Sequence, residues 1–388
     1  MKVLLADTKI TDYHKKLINE VLTSGRFTYG PKTKEFEEKF AKLHGRKYAI
    51  FTNSGTSALQ VSLHYLKDFY GWRDDDEIIV PSVTFVATVN VVLLNRLKPV
   101  VVDVNRNTFN MAPELIEKKI TNKTRAILPV HLLGQPAKMD EIMRIARKYK
   151  LKVVEDSCEA MFVKYADKYV GAWGDIGCFS SYLAHIISTG VGGFITTDNK
   201  RDAEAMRSMI WHGRDNLYLS IDDNKNAKLW EIMKARFRFN RVGYSYRLTE
   251  LEAALGLAEL KTWRENIRQR QQNAKYLTQK LQKYDHLFQL PYAEKAAQHC
   301  WMFYPIVVQW PIYRDIFAQY LEKKGIQTRW IMPLTNQPVY ENWMNNFAYP
   351  NADYINDHGI LLGCHQFLTK EHLDYIVSTI EEYLYESL

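Results

Sequence analysis

Cysteine is scarce in this chain. Four occur in 388 residues, Cys158, Cys178, Cys300 and Cys364, and no two are spaced as C-x-x-C. No His-x-x-x-His run accompanies them. A zinc site or a disulfide framework is therefore not expected, nor any other metal, and a reducing cytoplasm suits the chain better. The spacing also argues against an iron–sulfur cluster, which takes clustered thiolates. Long apolar runs are missing too. Nothing approaches the ~18 uninterrupted apolar residues of a membrane-spanning helix, so no membrane partner is expected. Met1 to Lys9 holds a short apolar run that soon meets charge, and no signal peptide is expected. There is no internal repeat and no low-complexity tract.

What is present is ordinary for a globular chain. Apolar residues make up 46% and charged residues 25%, which excludes a disordered chain, a collagen-like fibre and a coiled coil. The length leaves room for about two or three domains. Lys and Arg number 52 against 44 Asp and Glu, a net charge of +8. The excess is spread along the chain and suits anionic small molecules at least as well as nucleic acid. No helix-turn-helix or basic tract is seen, so no nucleic-acid partner is expected.

Through the first two thirds, short β-rich runs alternate with helical patterns. Strands are predicted at Lys47–Thr52, Glu77–Pro81, Pro99–Val104, Arg125–His131, Lys152–Glu155, Gly177–Ser181 and Gly193–Thr197. Helices are predicted at Ser57–Lys67, up to Asn95, at Pro113–Ile120 and at Met139–Lys148. Near-continuous apolar strands alternating with helices predict an α/β fold, its mostly parallel central sheet covered on both faces. Ligands in such sheets sit at the carboxyl ends of the strands. From Thr249 to about Tyr284 the pattern predicts one long helix, a spine between domains. Beyond it, a strand at Phe303–Gln309, a helix at Tyr313–Lys324, a strand at Ile326–Ile331 and a helix at Lys370–Tyr385 predict a smaller C-terminal α+β domain. The Asn-, Tyr- and Trp-rich stretch Trp343–Tyr354 reads as a loop. The expected division is a large domain over 1–250, then the long helix and small domain over 251–388.

Three stretches carry candidate chemistry. Asn53-Ser54-Gly55-Thr56-Ser57 follows a strand and opens a helix, where free N–H groups and the helix dipole favour phosphate. Read alone, it is equally an ordinary helix cap. Val153-Val154-Glu155-Asp156 is an apolar strand ending in two carboxylates, a ligand contact or a surface acid. Gly174 to Gly193 is rich in glycine and holds His185 between apolar residues, where a satisfied core histidine is the commoner outcome.

In their order along the chain, these segments resemble the DegT/DnrJ/EryC1/StrS family of sugar aminotransferases, which have the type I fold of pyridoxal phosphate (PLP) enzymes. The resemblance rests on Gly25-Arg26-Phe27-Thr28-Tyr29-Gly30, Asn53 to Leu59, Pro81-Ser82-Val83-Thr84-Phe85-Val86-Ala87-Thr88, and Pro129-Val130-His131-Leu132-Leu133-Gly134-Gln135-Pro136. It continues through Glu155-Asp156, Gly174 to Ser180, and Gly243-Tyr244-Ser245-Tyr246-Arg247-Leu248-Thr249-Glu250-Leu251. It implies that Gly55, Thr56 and Ser180 hold the cofactor phosphate, that Phe85 stacks on the pyridine ring, and that Asp156 pairs with the protonated ring nitrogen. The family's phosphate-binding Asn, normally supplied by a second subunit, is Ser245 here.

The decisive departure is His185, which stands where the family carries its cofactor-linking lysine. Imidazole cannot hold the cofactor covalently but can move protons. One branch shares this swap: the 3-dehydratases of nucleotide-linked 4-keto-6-deoxy sugars. Glu155-Asp156-Ser157-Cys158-Glu159-Ala160-Met161 resembles the dehydratase version, with Glu159 where the aminotransferases have Gln. Leu362-Gly363-Cys364-His365-Gln366 does likewise. The cysteine spacing favours the type that needs only PLP and glutamate. Two features depart from that branch: Val191 replaces an acid of the Gly-Glu-Gly-Gly stretch, and Gly243–Leu251 looks more like an aminotransferase.

The resemblance therefore implies a dehydratase cycling between PLP and pyridoxamine phosphate (PMP). L-Glutamate is the amino donor, His185 the acid/base, and the product a 4-keto-3,6-dideoxy sugar. His365 is a second catalytic candidate, through orienting His185 or the sugar. His212 and Arg214 are candidates for binding the sugar or its diphosphate. A homodimer is implied, and the Asp215–Lys234 insertion is expected to help choose the nucleotide. Two other readings stay open: a nucleotide-sugar aminotransferase using another base, and a non-catalytic cofactor-binding relative.

Overall fold

The computed structural model describes residues 1–214, 228–235, 237–341 and 348–387. The elements run α1 (Asp12–Ser24), α2 (Pro31–Leu43), β1 (Tyr48–Thr52), α3 (Gly55–Tyr70), β2 (Glu77–Pro81), α4 (Ala87–Leu94), β3 (Lys98–Val102), α5 (Pro113–Ile116), β4 (Thr124–Ile127), α6 (Met139–Tyr149) and β5 (Lys152–Asp156). A small hairpin follows, β6 (Lys164–Tyr165) with β7 (Lys168–Tyr169), then β8 (Ile176–Ser180), β9 (Gly193–Thr197), α7 (Lys200–Ile210) and α8 (Leu229–Ala235). The last third holds α9 (Glu250–Glu259), α10 (Trp263–Leu281), β10 (Phe288–Gln289), β11 (Tyr304–Val308), α11 (Arg314–Lys323), β12 (Arg329–Trp330), α12 (Pro350–His358), β13 (Gly359–Leu362) and α13 (Lys370–Ser387).

A seven-stranded sheet runs in the order β1-β9-β8-β5-β4-β2-β3. β3, β2, β4, β5 and β8 are mutually parallel, and β9 lies antiparallel between β8 and β1. The parallel strands are apolar throughout because helices cover both faces. Ile78, Ile79 and Val80 are all fully buried, although they alternate between the two faces. A second, four-stranded sheet runs β10-β11-β13-β12, antiparallel at every step. The start of the chain pairs just ahead of β12: Val3 bridges Ile326 outside the sheet, its carbonyl accepting the Gln327 N–H at 2.9 Å. Apolar packing continues between the two sheets. Met302, Phe303 and Leu361 share one buried cluster with Val80, Leu128 and Val154.

Two quoted motifs meet in a single joint, where the Glu250 N–H reaches the Phe27 carbonyl at 2.9 Å. The buried Glu250 carboxylate accepts the N–H of Lys32 at 2.9 Å and of Thr33 at 2.8 Å, and the Thr33 hydroxyl at 2.5 Å. An acid thereby caps the N-terminus of α2 from more than two hundred residues away.

Three expectations need correction. The long helix over Thr249–Tyr284 is two helices, α9 and α10. The break falls at Thr262, whose ψ of 1° is not helical, and it lets Trp263 stack on Phe162 at 4.7 Å. The stretch read as a loop, Trp343–Tyr354, runs into helix α12 from Pro350; residues 342–347 lie outside the described residues. The Ile326–Ile331 strand is cut to the two residues of β12, because Val3 takes up Ile326 and Gln327 before the sheet begins.

Candidate active site

A cavity of about 480 Å³ opens at the carboxyl ends of the parallel strands, where an open α/β sheet binds its ligands. Its first wall is the start of α3. Ser54 caps that helix, its hydroxyl accepting the Ser57 N–H at 3.0 Å. Its carbonyl takes the Ala58 N–H at 3.1 Å. The N–H groups of Gly55 and Thr56, in the first turn of the helix, make no such bond among the described residues, and both residues line the cavity. A side chain at Gly55 would stand 2.6 Å from Cys158 Sγ and 2.8 Å from Ser180 Cβ. Glycine is thus what allows β5, β8 and the helix start to crowd together. Ser180 closes this corner.

The second wall is the end of β5. Asp156 Oδ2 accepts the Thr88 hydroxyl at 2.9 Å and Oδ1 accepts the Cys158 N–H at 3.1 Å. Burial pushes this carboxyl above its ordinary range, against the pull of those hydrogen bonds. Among the described residues it makes no ion pair. Glu159, buried nearby, accepts the Leu133 N–H at 2.6 Å and is pushed up to about 7, again by burial. Leu133 holds a left-handed φ of 55° to aim that N–H. Glu155 faces away from the cavity into a web made of His131 Nε2 at 3.1 Å and the N–H groups of Gly171 and Gly174 at 2.8 and 2.6 Å.

His185 sits on the loop between β8 and β9. The loop is drawn tight at its neck, where the Ser181 N–H reaches the Gly192 carbonyl and the Thr189 N–H the Ser181 carbonyl, both at 2.9 Å. Ile186 and Ile187 are buried and anchor it. The His185 ring is half-buried and lines the cavity. Its Nδ1 lies 3.2 Å from the Tyr182 carbonyl. A carbonyl only accepts, so Nδ1 carries the proton and Nε2 the lone pair. Burial, seconded by the charge of Arg270, pushes the imidazole down to about 4, against the Tyr182 bond. The ring is therefore a neutral base at physiological pH.

The remaining walls were not read from the sequence. Phe85, 52% exposed, shares the cavity with Arg329, Trp330 and Leu361 of the second sheet and with Met302 and Phe303 just before β11. So do Cys158 and Tyr182, while Thr88 reaches Asp156 from behind. Thr88 and Cys158 lie inside quoted motifs, but neither residue type signals a cofactor contact by itself. Arg329 and Trp330 sit on a two-residue edge strand without any motif.

The cavity thus gathers Gly55, Thr56, Phe85, Asp156, Glu159, Ser180 and His185. It does not gather the other candidates. His365 is buried outside it, with Nε2 3.2 Å from the Leu4 carbonyl and Nδ1 accepting the Phe367 N–H at 3.3 Å. Both ring nitrogens are thereby committed to backbone. Ser245 is exposed and bridges Trp211. His212 bonds Arg247 at 3.0 Å, and Arg214 bridges Phe239. These three lie together, apart from the lining of this chain's own cavity. Of the Asp215–Lys234 insertion, residues 215–227 lie outside the described residues. No group of three or more metal-ligating side chains is found among the described residues.

The donor set fits a phosphorylated, cationic aromatic ring. Among the lining groups are two helix N–H groups and a hydroxyl suited to the phosphate, Phe85 for stacking, and a buried carboxyl, without an ion pair among the described residues, for a protonated ring nitrogen. Fold and site together define a protein of the PLP-dependent aminotransferase class. The chain belongs to the DegT/DnrJ/EryC1/StrS aminotransferase family, whose pattern matches residues 8–381.

Relatives of known name fall on both sides of the family's chemistry. The chain is 35% identical over 382 residues to the uncharacterized protein MJ1066 of Methanocaldococcus jannaschii, with 95% of each chain covered. It is 33% identical to a GDP-perosamine synthase of Caulobacter vibrioides, covering 90% of this chain and 89% of that one. It is 30% identical to a GDP-4-keto-6-deoxy-D-mannose 3-dehydratase of Escherichia coli O55:H7, covering 96% and 97%. Among solved structures, that of the E. coli 3-dehydratase with bound hydrated PLP superposes with a TM-score of 0.89 at 28% identity, over 98% of this chain and 100% of that one. An aminotransferase from Psychrobacter cryohalolentis gives 0.88 at 26%, over 98% and 99%.

Proposed function

We propose that this chain is a 3-dehydratase of a nucleotide-linked 4-keto-6-deoxy sugar, using PLP and PMP with L-glutamate as amino donor. One observation carries the reading: among the described residues, none lining the cavity is a lysine, and the family's lysine position holds His185. Without a primary amine the cofactor is held by non-covalent contacts alone.

When bound, the cofactor supplies an electron sink and, once charged by glutamate, the amino group that condenses with the sugar's C4 ketone. The N–H groups of Gly55 and Thr56 and the Ser180 hydroxyl would hold its phosphate, Phe85 would stack on the ring, and Asp156 would keep the ring nitrogen protonated, a cation that in turn would favour the carboxylate that burial disfavours. Glu159 would contribute to the same cofactor site. His185, with its lone pair on Nε2, would be the group that moves a proton to the departing C3 oxygen of the sugar. Overall, sugar C3 gains two electrons and loses its hydroxyl, glutamate becomes 2-oxoglutarate, and ammonia leaves, with no net water.

The enzyme is proposed to act as a homodimer in the cytoplasm, divided near residue 250. Ser245, His212 and Arg214, absent from this chain's cavity, would then serve a second copy. No helix among the described residues is long and apolar enough to cross a membrane. A sugar aminotransferase is the second reading, favoured by the 33% identity to a GDP-perosamine synthase and by the form of Gly243–Leu251. The third, a non-catalytic cofactor-binding relative, has no need of the electron sink that Asp156 would maintain.

The test is mass spectrometry of the product formed with PLP, L-glutamate and a panel of 4-keto-6-deoxy nucleotide sugars. Loss of the C3 oxygen with release of ammonia is expected, abolished in His185→Asn with the cofactor still bound. An amino sugar would establish the second reading, and cofactor binding without turnover the third.

A further inference from the structure

We propose that Trp330 is the platform on which the base of the nucleotide stacks, and so a substrate-selecting residue at the mouth of the cavity. The inference rests on the reading of the substrate as a nucleotide-linked sugar. Trp330 lies on β12, an edge strand of the second sheet, lines the cavity and is 53% exposed. One face of its indole is already taken. The Arg314 guanidinium stands 4.3 Å from the ring centroid. Arg314 is itself held in place, its side chain 10% exposed, paired with Asp315 at 2.7 Å and donating to the Asn356 carbonyl. The exposure of the indole therefore belongs to its other face and its edges. A scattered exposed apolar residue needs no explanation. An indole backed by a fixed cation at the lip of a ligand cavity is a preformed stacking surface.

The platform is fixed relative to the cofactor end of the site. Trp330 pairs with Ile360. Just beyond it, the Met332 carbonyl accepts the Thr84 N–H at 3.1 Å, and the Leu334 N–H reaches the Ser82 carbonyl at 2.8 Å. Strand β12 is thereby laced to the turn that carries Phe85. Depth then sorts the ligand. Asp156 and Glu159 are buried, whereas Arg329 and Trp330 are exposed on the same cavity. The sugar reacts at C4 and C3, beside the cofactor, so its diphosphate and nucleoside trail from C1 toward the exposed lip. Arg329 supplies the charge there. Among the described residues lining the cavity it is the one lysine or arginine, and it makes no ion pair among the described residues. Its Nη1 donates to the Thr328 carbonyl at 2.8 Å, which leaves the rest of the fork for an anion. Past the diphosphate the next flat group is the base, and the next residue on the strand is Trp330.

The experiment is equilibrium binding, by calorimetry, to the full-length protein loaded with PLP. The probes are GDP, dTDP and UDP, with inorganic diphosphate as the ligand that has no base. Trp330→Ala should weaken the tightest of the three nucleotides about tenfold, the scale of one lost base–aromatic stack, and leave inorganic diphosphate within about twofold. Trp330→Phe, which keeps a ring, should recover most of the loss. The absorbance of bound PLP should be the same in the wild type and both variants. Equal nucleotide affinity in Trp330→Ala would overturn the proposal. So would a parallel loss of inorganic diphosphate, which would make Trp330 a general brace of the lip, or a loss of PLP, which would place it in the cofactor site. No turnover enters the readout. A protein that forms an amino sugar would sink the proposed activity and leave this result standing. Sugar dehydration by the wild type, with nucleotide affinity unaltered in Trp330→Ala, would do the opposite.

Discussion

Glu155 and Asp156 are neighbours on one strand and live in opposite circumstances. Side chains alternate across a strand, so one carboxylate points into the scaffold and the other into the cavity. Burial alone would push Glu155 up. The His131 hydrogen bond, the Arg46 charge and the Gly174 N–H outweigh it and hold the group below its ordinary value. Asp156 makes no ion pair among the described residues and stays pushed up by burial, although Thr88 and Cys158 donate to it. The strand thus separates a finished structural charge from an unfinished one, and the unfinished one marks where a ligand completes the electrostatics.

Breaking that contrast should show most in catalysis. Asp156→Asn should lower turnover by at least ~100-fold, the scale for a lost transition-state contact in a dry site. The same change should raise the melting temperature of the cofactor-free chain. The sign follows from linkage. A carboxyl raised in the folded state is least costly when neutral, and its ionisation removes stability as pH climbs through the folded value. A lowered melting temperature would mean that Asp156 is structural after all. Glu155→Gln should do the reverse, costing about 3 kcal/mol of folding stability by unpairing a buried web. Denaturant unfolding would measure it, with the residual activity per folded molecule largely kept. In the wild type this contribution is present above pH 4.5 and lost as pH falls through the depressed folded value.

The contrast extends, more weakly, to two histidines. His44 is sealed, its Nδ1 donating to the Phe40 carbonyl at 3.0 Å and its Nε2 accepting the Phe162 N–H at 3.2 Å. His185 keeps Nε2 open. Burial pushes His44 down to about 3. The unfolded chain takes up that proton near 6.5, so stability should fall as pH drops from there toward 3. His44→Asn should flatten this slope by up to one proton, about 1.4 kcal/mol per pH unit, in unfolding measured across that range. An unchanged slope would assign the acid sensitivity elsewhere.

The cavity floor was legible in the sequence, because strand ends carry compact signals. Asn53 to Ser57 and Val153 to Asp156 each combine an apolar strand with polar residues at its end. The far wall was not. Arg329, Trp330 and Leu361 are joined only by the antiparallel pairing of β12 with β13, Met302 by the bond of its N–H to the Leu133 carbonyl, and nothing local announces either. Helices α1 and α2 went unread because their apolar stripes are thin, with Leu17 and Val21 in one and Phe36 and Phe40 in the other, set among charges. Helix α12 hid in an Asn- and Tyr-rich run because its cap is remote: Asp103 accepts the N–H groups of Asn351 at 3.0 Å and Ala352 at 3.1 Å. His365 and His185 look alike in sequence. Only the fold shows that one has spent both nitrogens on the backbone.

The pairing of Val3 with Ile326 sets an order of events during synthesis. The neighbouring tie, from the Leu5 N–H to Gln327 Oε1, spans 322 residues. At about 5–20 residues per second, the first strand waits on the order of half a minute outside the ribosome before its partner exists. For that interval the nascent chain carries Val3 to Leu5 as an unpaired edge. The second sheet can close only once its last strand, β13, has been made.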